Sequence, residues 1–282
     1  PNLQEDKLKI VPMTRAIGAD IYGADVRNKD DVKAIKDAFA QYSVISVRDQ
    51  SLSPEEHIDF AEAIGQININ RFFTPLDTHP NIAMVLKEAD QQGAIGEEWH
   101  TDHSYDQEPA LGSILSAIEM PQVGGDTAFS SMAAAYDGLS DKFKDILDGL
   151  EAWHGTEHVF VNSPAAKKAR AEGRLSANPN IEPDVKHPLI IKHPLSGRKC
   201  IYVNPQFTVG IDGMAKGESD AILNGIYEHC VRPEFQCRVR WKEGDLTMWD
   251  NRATWHKAIN DYHGHRRYMH RITIEGCALE AA

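Results

Sequence analysis

Short apolar runs cut by Gly, Pro, Asn or Asp fill most of this 282-residue chain, and they read as a mainly β protein with flanking helices. Two further observations agree. The helical patterns are few and lie mostly toward the front, and no internal repeat or low-complexity tract appears. The expected architecture is a sandwich or a barrel carrying helical decoration. The length suits one domain over residues 1–282, because large β or mixed barrels reach this size as a unit.

The first stretch, "LKIVPMTRAIGADIYGADV", reads as short strands with turns at Gly18 and Gly23. In "NKDDVKAIKDAFAQY", Val32, Ile35 and Phe39 form a helical stripe, with Asp30 as the expected N-cap. A strand, "SVISVRDQ", precedes a second helix whose ends are written in the chain: Ser53 as N-cap, Pro54 next, Glu56 three residues on and Gly65 at the close. "ALGSILSAIEMP" reads as a strand, "GGDTAFSSM" as a turn entering another, and "SSMAAAYDGLSDKFKDILDGL" as one or two short helices. Residues 163–186 are polar and locally basic, and are expected to form a lid or flexible insert, partly helical. Strands follow in "HPLIIKHP", "KCIYVN" and "QFTVGI". "GESDAILNGIYEHCV" is a helix, and the remainder is rich in strands.

Composition narrows the function classes. A net charge of −12 argues against nucleic acid as a partner, since neutralising phosphates needs a basic face. Cys200, Cys230, Cys237 and Cys277 are widely spaced without a C-x-x-C pair, which reads as free thiols in a reducing compartment. With no membrane span and no secretion-signal pattern in view, the expected location is cytoplasmic.

The chemistry concentrates in "EEWHTDHSYDQ". If residues 99–105 are extended, His100, Asp102 and Ser104 share one face, while Trp99, Thr101 and His103 share the other. An imidazole and a carboxylate so placed can meet one metal ion. Two protein ligands rarely suffice, and a second histidine would complete the two-histidine, one-carboxylate set of non-haem Fe(II) oxygenases. By chemistry alone the third ligand stays open among His256, His270, His154 and His158, with His256 foremost. The quieter reading, a surface hydrogen-bonded pair, stands beside it.

Four stretches together, "WHTDHSY", "GGDTAFSS", "MWDNRATWHKAIND" and "HRRYMHRITIEG", resemble the family of taurine and 2,4-dichlorophenoxyacetate dioxygenases, from about Val11 to Gly276. That resemblance implies a double-stranded β-helix (jelly-roll) core with a metal at one mouth. It implies an enzyme dependent on Fe(II), 2-oxoglutarate and O2 that hydroxylates a small anionic molecule and releases succinate and CO2. His100, Asp102 and His256 match the family's metal ligands. Thr127 and Arg267 match its 2-oxoglutarate contacts, and Arg271 matches a residue that often holds the substrate's anionic group. Homo-oligomers, dimers or tetramers, are also implied.

Strand alternation agrees separately: Arg267, Met269, Arg271 and Thr273 share a face if "RRYMHRITI" is extended, and each guanidinium suits a planar carboxylate. Taurine-type members carry an asparagine four residues before the first metal histidine, where this chain has Gly96. Phe72 and Phe73, upstream, suit the wall of an apolar or aromatic substrate. The expected substrate is therefore a fairly apolar carboxylate such as an aryloxyalkanoate. Taurine, alkylsulfonate or alkyl sulfate oxidation is the alternative, and a zinc-dependent hydrolase on the same triad a remote one. Trp99, Trp249 and Trp255 read as core and wall residues, and Asp250 and Asn251 as shaping the turn before His256.

Overall fold

The computed structural model describes residues 8–176 and 181–282. In chain order its elements are β1 (Lys9–Pro12), β2 (Ala19–Tyr22), α1 (Lys29–Tyr42), β3 (Val44–Val47), α2 (Pro54–Ile64), β4 (Ile67–Asn68), β5 (Ala83–Lys87), β6 (Gly112–Glu119) and β7 (Thr127–Ser131). There follow α3 (Met132–Asp137), α4 (Asp141–Leu147), β8 (Glu151–His154), a π-helical turn at Glu157–Val161, and α5 (Pro164–Ala171). Next come β9 (Val185–Pro188), β10 (Ile190–Lys192), β11 (Lys199–Ile201), β12 (Thr208–Ile211) and α6 (Lys216–Cys230). The chain ends with β13 (Gln236–Val239), β14 (Leu246–Asp250), β15 (Thr254–Ala258), β16 (Arg267–Ile274) and β17 (Glu280–Ala281). The protein is mainly β with several helices.

The largest sheet runs β1-β2-β3-β14-β6-β16-β4, with β5 also paired to β16; only the β2–β3 pairing is parallel. A three-stranded sheet, β13-β7-β15, packs on one face of it. Leu115, Trp249 and Met269 from the large sheet meet Phe129, Cys237 and Val239 from the small one in a single apolar cluster. The opposite face is covered by α1 and α2, whose Ile35, Phe39 and Phe60 pack on Ile45, Ile114 and Ile272. Burying one such aliphatic or aromatic side chain contributes roughly 1.5–3 kcal/mol. The large sheet is thus covered on both sides, which explains why β3, β6 and β14 are buried along nearly their whole length.

The α2 boundaries match the sequence reading. Ser53 Oγ accepts from Glu56 N, the Glu56 side chain reaches back to Ser53 N, and Pro54 opens the helix. The cap of α1 differs: Asn28, not Asp30, accepts from the backbone N–H groups of Asp30 and Asp31. Three side chains able to cap, Asn28, Asp30 and Asp31, stand within four positions there, and the pattern alone does not rank them. Of the expected insert, residues 177–180 lie outside the described residues. Its front half is an ordered helix, α5, capped by Ser163 and packed through Ala166 and Ala169. Among the described residues, no helix is long and apolar enough to cross a membrane.

Candidate metal centre and its cavity

His256 lies at the middle of β15, paired with Phe129 of β7. An isolated antiparallel bridge joins it to His100: His100 N donates to His256 O over 3.1 Å, and His256 N donates back over 2.8 Å. Reciprocal backbone bonds therefore set the two imidazoles side by side, with ring centroids 4.1 Å apart.

Asp102 arrives differently from the strand alternation expected for residues 99–105. The chain leaves the bridge and turns, with His103 in the left-handed region at φ 63° and Asp106 N bonded to His103 O. Three anchors hold the turn. Asn204 Nδ2 donates to Ser104 Oγ, Ser104 Oγ is 3.1 Å from His154 Nδ1, and His187 Nε2 donates to the Asp106 carbonyl. Asp102 thus reaches the centre from the first residue of this turn, which apolar periodicity does not encode.

Asp102 Oδ1 lies 3.4 Å from His100 Nε2, and its Oδ2 lies 3.6 Å from His256 Nε2. All three residues are buried, and their ligand atoms fall within 4.8 Å of one another. His100 Nδ1 donates to the Glu98 carbonyl at 2.7 Å, which leaves the Nε2 lone pair facing the centre. His256 Nδ1 is buried without a partner among the described residues. Burial and the neighbouring His100 push the His256 imidazole down to about 3, so it is neutral. Burial works against charge on Asp102. The Arg271 guanidinium, bonded to its Oδ2 at 2.8 Å, overrides this with help from the His100 hydrogen bond, and the carboxyl sits well below the usual range. Two imidazoles and one ionised carboxylate facing a common point fit a divalent metal, and the N2O set is that of mononuclear ferrous oxygenases.

The triad opens into a cavity of about 730 Å³, its mouth included, whose lining holds Gly96, His100, Asp102, Thr127, His256, Arg267 and Arg271. Thr127 Oγ1 accepts from Trp241 Nε1, which leaves its own hydrogen to donate. Arg267 is 7% exposed; its Nε donates to the Gly125 carbonyl at 3.2 Å. Among the described residues no carboxylate lies within the 4.0 Å of an ion pair, and burial, opposed by Tyr262 and Asp126, lowers its pKa. Gly125, at φ 72°, permits this approach: a Cβ there would stand 3.3 Å from both Arg267 Cδ and Tyr262 Cδ1.

Arg271 sits four residues further along β16, roughly 13 Å at about 3.3 Å per residue. Its guanidinium lies 5.2 Å from the Phe73 ring centroid and 6.0 Å from that of Trp249. Phe73 lines the cavity, whereas Phe72 lies behind the wall, stacked on Phe160 at 4.1 Å. Phe72 is thus a buttress, not the wall residue the sequence suggested. Gly96 faces His100, and a Cβ there would stand 3.2 Å from His100 Cε1.

The other histidines fall away from the centre. His154 is fully buried and structural, His158 bonds the Gln206 carbonyl, and His270 is half-buried and bonds Tyr268 Oη. Trp249 and Trp255 are core residues, and Trp99 is partly buried against the core. Asp250 shapes its turn by accepting from Arg252 N, and it also binds the buried His193 and the Arg252 guanidinium. Sequence reasoning missed Tyr105, Phe160 and Phe207, which complete the aromatic wall, and Asn70 and Gln206 beside them. Only Tyr105 carried a signal, as the last residue of "WHTDHSY".

The family model described as taurine catabolism dioxygenase TauD, TfdA family matches residues 9–273. An alpha-ketoglutarate-dependent 2,4-dichlorophenoxyacetate dioxygenase of Burkholderia sp. is 34% identical, covering 87% of this chain and 86% of that protein. An alpha-ketoglutarate-dependent sulfate ester dioxygenase of Pseudomonas putida is 30% identical over 96% of this chain and 90% of its own. The crystal structure of a taurine dioxygenase from Burkholderia xenovorans superposes with a TM-score of 0.80 at 30% identity, covering 96% of this chain and 92% of that one.

Proposed function

The chain belongs to the TauD/TfdA family of 2-oxoglutarate-dependent dioxygenases, and from that premise we propose that it hydroxylates a small organic carboxylate with an apolar body, such as an aryloxyalkanoate. The products are the hydroxylated acid, succinate and CO2. In this reading the strands form a double-stranded β-helix, and His100, Asp102 and His256 hold Fe(II) at its mouth. Iron, when bound, supplies the redox chemistry that couples O2 reduction to loss of CO2 from 2-oxoglutarate.

The chain's own residues do the positioning. Arg267 receives the distal carboxylate of 2-oxoglutarate, and the Thr127 hydroxyl donates to the same guest. Arg271, cradled by Phe73 and Trp249, receives the substrate's carboxylate. Its bond to Asp102 ties that anion's position to the metal centre. Phe73, Tyr105, Phe160 and Phe207 exclude water and orient the substrate's apolar body. Gly96 offers no side chain to a taurine-like amine. One observation carries the reading: Arg267, a buried guanidinium with no carboxylate partner among the described residues, lines the same cavity as the triad. A hydrolase built on that triad has no use for it.

A second reading has a specific basis. Arg271 binds an anion through charge and does not by itself separate carboxylate from sulfate, and a 30% identical relative from Acinetobacter baylyi is named alkylsulfatase. Succinate formation and O2 uptake, measured with Fe(II), ascorbate and 2-oxoglutarate on phenoxyacetates, alkyl sulfates and taurine, decide between them. Coupled turnover with phenoxyacetates supports the proposal; turnover confined to sulfates or aminosulfonates refutes it.

A further inference from the structure

Beyond the inner cavity lies a second chamber of about 860 Å³, open rim included, between the 93–98 segment and α5. The two share Ile95, Gly96, Phe160 and Gln206 in their linings, so they adjoin directly. Building on the anionic-head reading above, we propose that the substrate is elongated. Its charged head lies beside Arg271, and an apolar tail passes Phe160 into the outer chamber.

The walls favour hydrocarbon. Val159, Ala166, Ala169 and Leu175 belong to the same apolar cluster as Phe73 and Phe207. Ala166 and Ala169, three apart on α5, share a helix face and leave room that larger side chains would fill. The charges at the rim do not invite a second anion. Arg174 is already paired with Glu172, which also lies 4.0 Å from Lys168 Nζ, and Glu97 and Glu98 stand opposite. The outer chamber therefore suits an uncharged group.

The junction is built firmly. Phe160 belongs to the single π-helical turn Glu157–Val161, a form that often marks functional positions, and Phe72 stacks flat against it. Gln206, also at the junction, lines both spaces, and among the described residues its Oε1 is buried without a donor.

The test is a chain-length series on the iron-loaded enzyme: phenoxyacetates carrying hydrogen, ethyl, butyl or hexyl at the 4-position. Calorimetric Kd without oxygen and kcat/KM for succinate release are both read. Each methylene that enters the chamber tightens binding by up to about fourfold, so the hexyl compound outranks the unsubstituted one. Ala169→Phe fills the chamber and cuts that long-to-short ratio at least tenfold. A flat or falling series in the unaltered enzyme, with phenoxyacetate itself turned over, overturns the tail proposal and leaves the head reading standing. If no phenoxyacetate of any length binds, the head reading fails, and alkyl sulfates of increasing length judge the tail by the same slope. Failure of both series to bind overturns both.

Discussion

Replacing Arg267 with Met separates two roles that a buried guanidinium can have. Among the described residues its side chain's one hydrogen bond goes to the Gly125 carbonyl, and no carboxylate lies within 4.0 Å. Two charge-assisted hydrogen bonds to a guest carboxylate are worth about 3–5 kcal/mol in total, which is roughly 10²- to 4 × 10³-fold in affinity. The variant should therefore weaken 2-oxoglutarate binding by that factor in calorimetric titrations of the metal-loaded protein without oxygen. The ligand-free melting temperature should not fall, because a charge buried without its counter-ion is removed and Met refills most of the volume. Thermal melts with 2-oxoglutarate give a second readout. At a concentration 100 times its Kd the cosubstrate stabilises the unaltered protein by about 2.7 kcal/mol, and the variant should show almost none of this at the same concentration. A shift in Kd below tenfold, or a ligand-free variant destabilised by more than about 2 kcal/mol, would show that Arg267 serves the fold and not an anionic guest.

Asp250→Ala should be costly for the opposite reason, since it leaves Arg252 and His193 buried without the carboxylate they share; urea unfolding should show a loss of about 3–5 kcal/mol. A loss under 1 kcal/mol would contradict the assigned pairing. Gly96→Ala places a Cβ at φ 83° and 3.2 Å from His100 Cε1. The backbone cost is about 1–2 kcal/mol, and chelator competition should show weakened metal binding; unchanged metal affinity would mean that His100 tolerates the contact. Burial pushes His57 and His154 down to about 3 from the ordinary 6.5, against the Ile114 carbonyl for His57 and with help from His187 for His154. As pH falls through 6.5 the unfolded chain takes up these protons before the folded one does. Each histidine therefore removes about 2 kcal/mol of stability by pH 5, and the loss continues toward pH 3. A urea midpoint that stays constant between pH 8 and pH 5 would exclude this.

Local chemistry made part of this molecule legible in advance. The Ser53–Glu56 capping box works through bonds three residues apart, and the β16 alternation places Arg267, Met269 and Arg271 on the buried face, with Tyr268 and His270 less buried. What stayed hidden depends on conformation or on distance along the chain. The left-handed His103, which turns the chain directly after Asp102, leaves no trace in a hydrophobic pattern, so the segment read as strand. Tyr105, Phe160 and Phe207 are scattered through the sequence, and only folding gathers their rings to within 4.7–6.1 Å of one another. Phe72 and Phe73 read alike as neighbours, yet one faces the cavity and the other supports Phe160 from behind.

The backbone bridge between His100 and His256 joins residues 156 positions apart. Closing so long a loop is slow and entropically unfavourable until the surrounding sheets already hold its ends. On the proposed reading, ion capture then comes late in maturation: the scaffold assembles first and the metal docks into a finished socket. Chelation should then strip the metal while leaving secondary structure and cooperative melting in place, unlike small zinc modules that unravel when their ion is taken away.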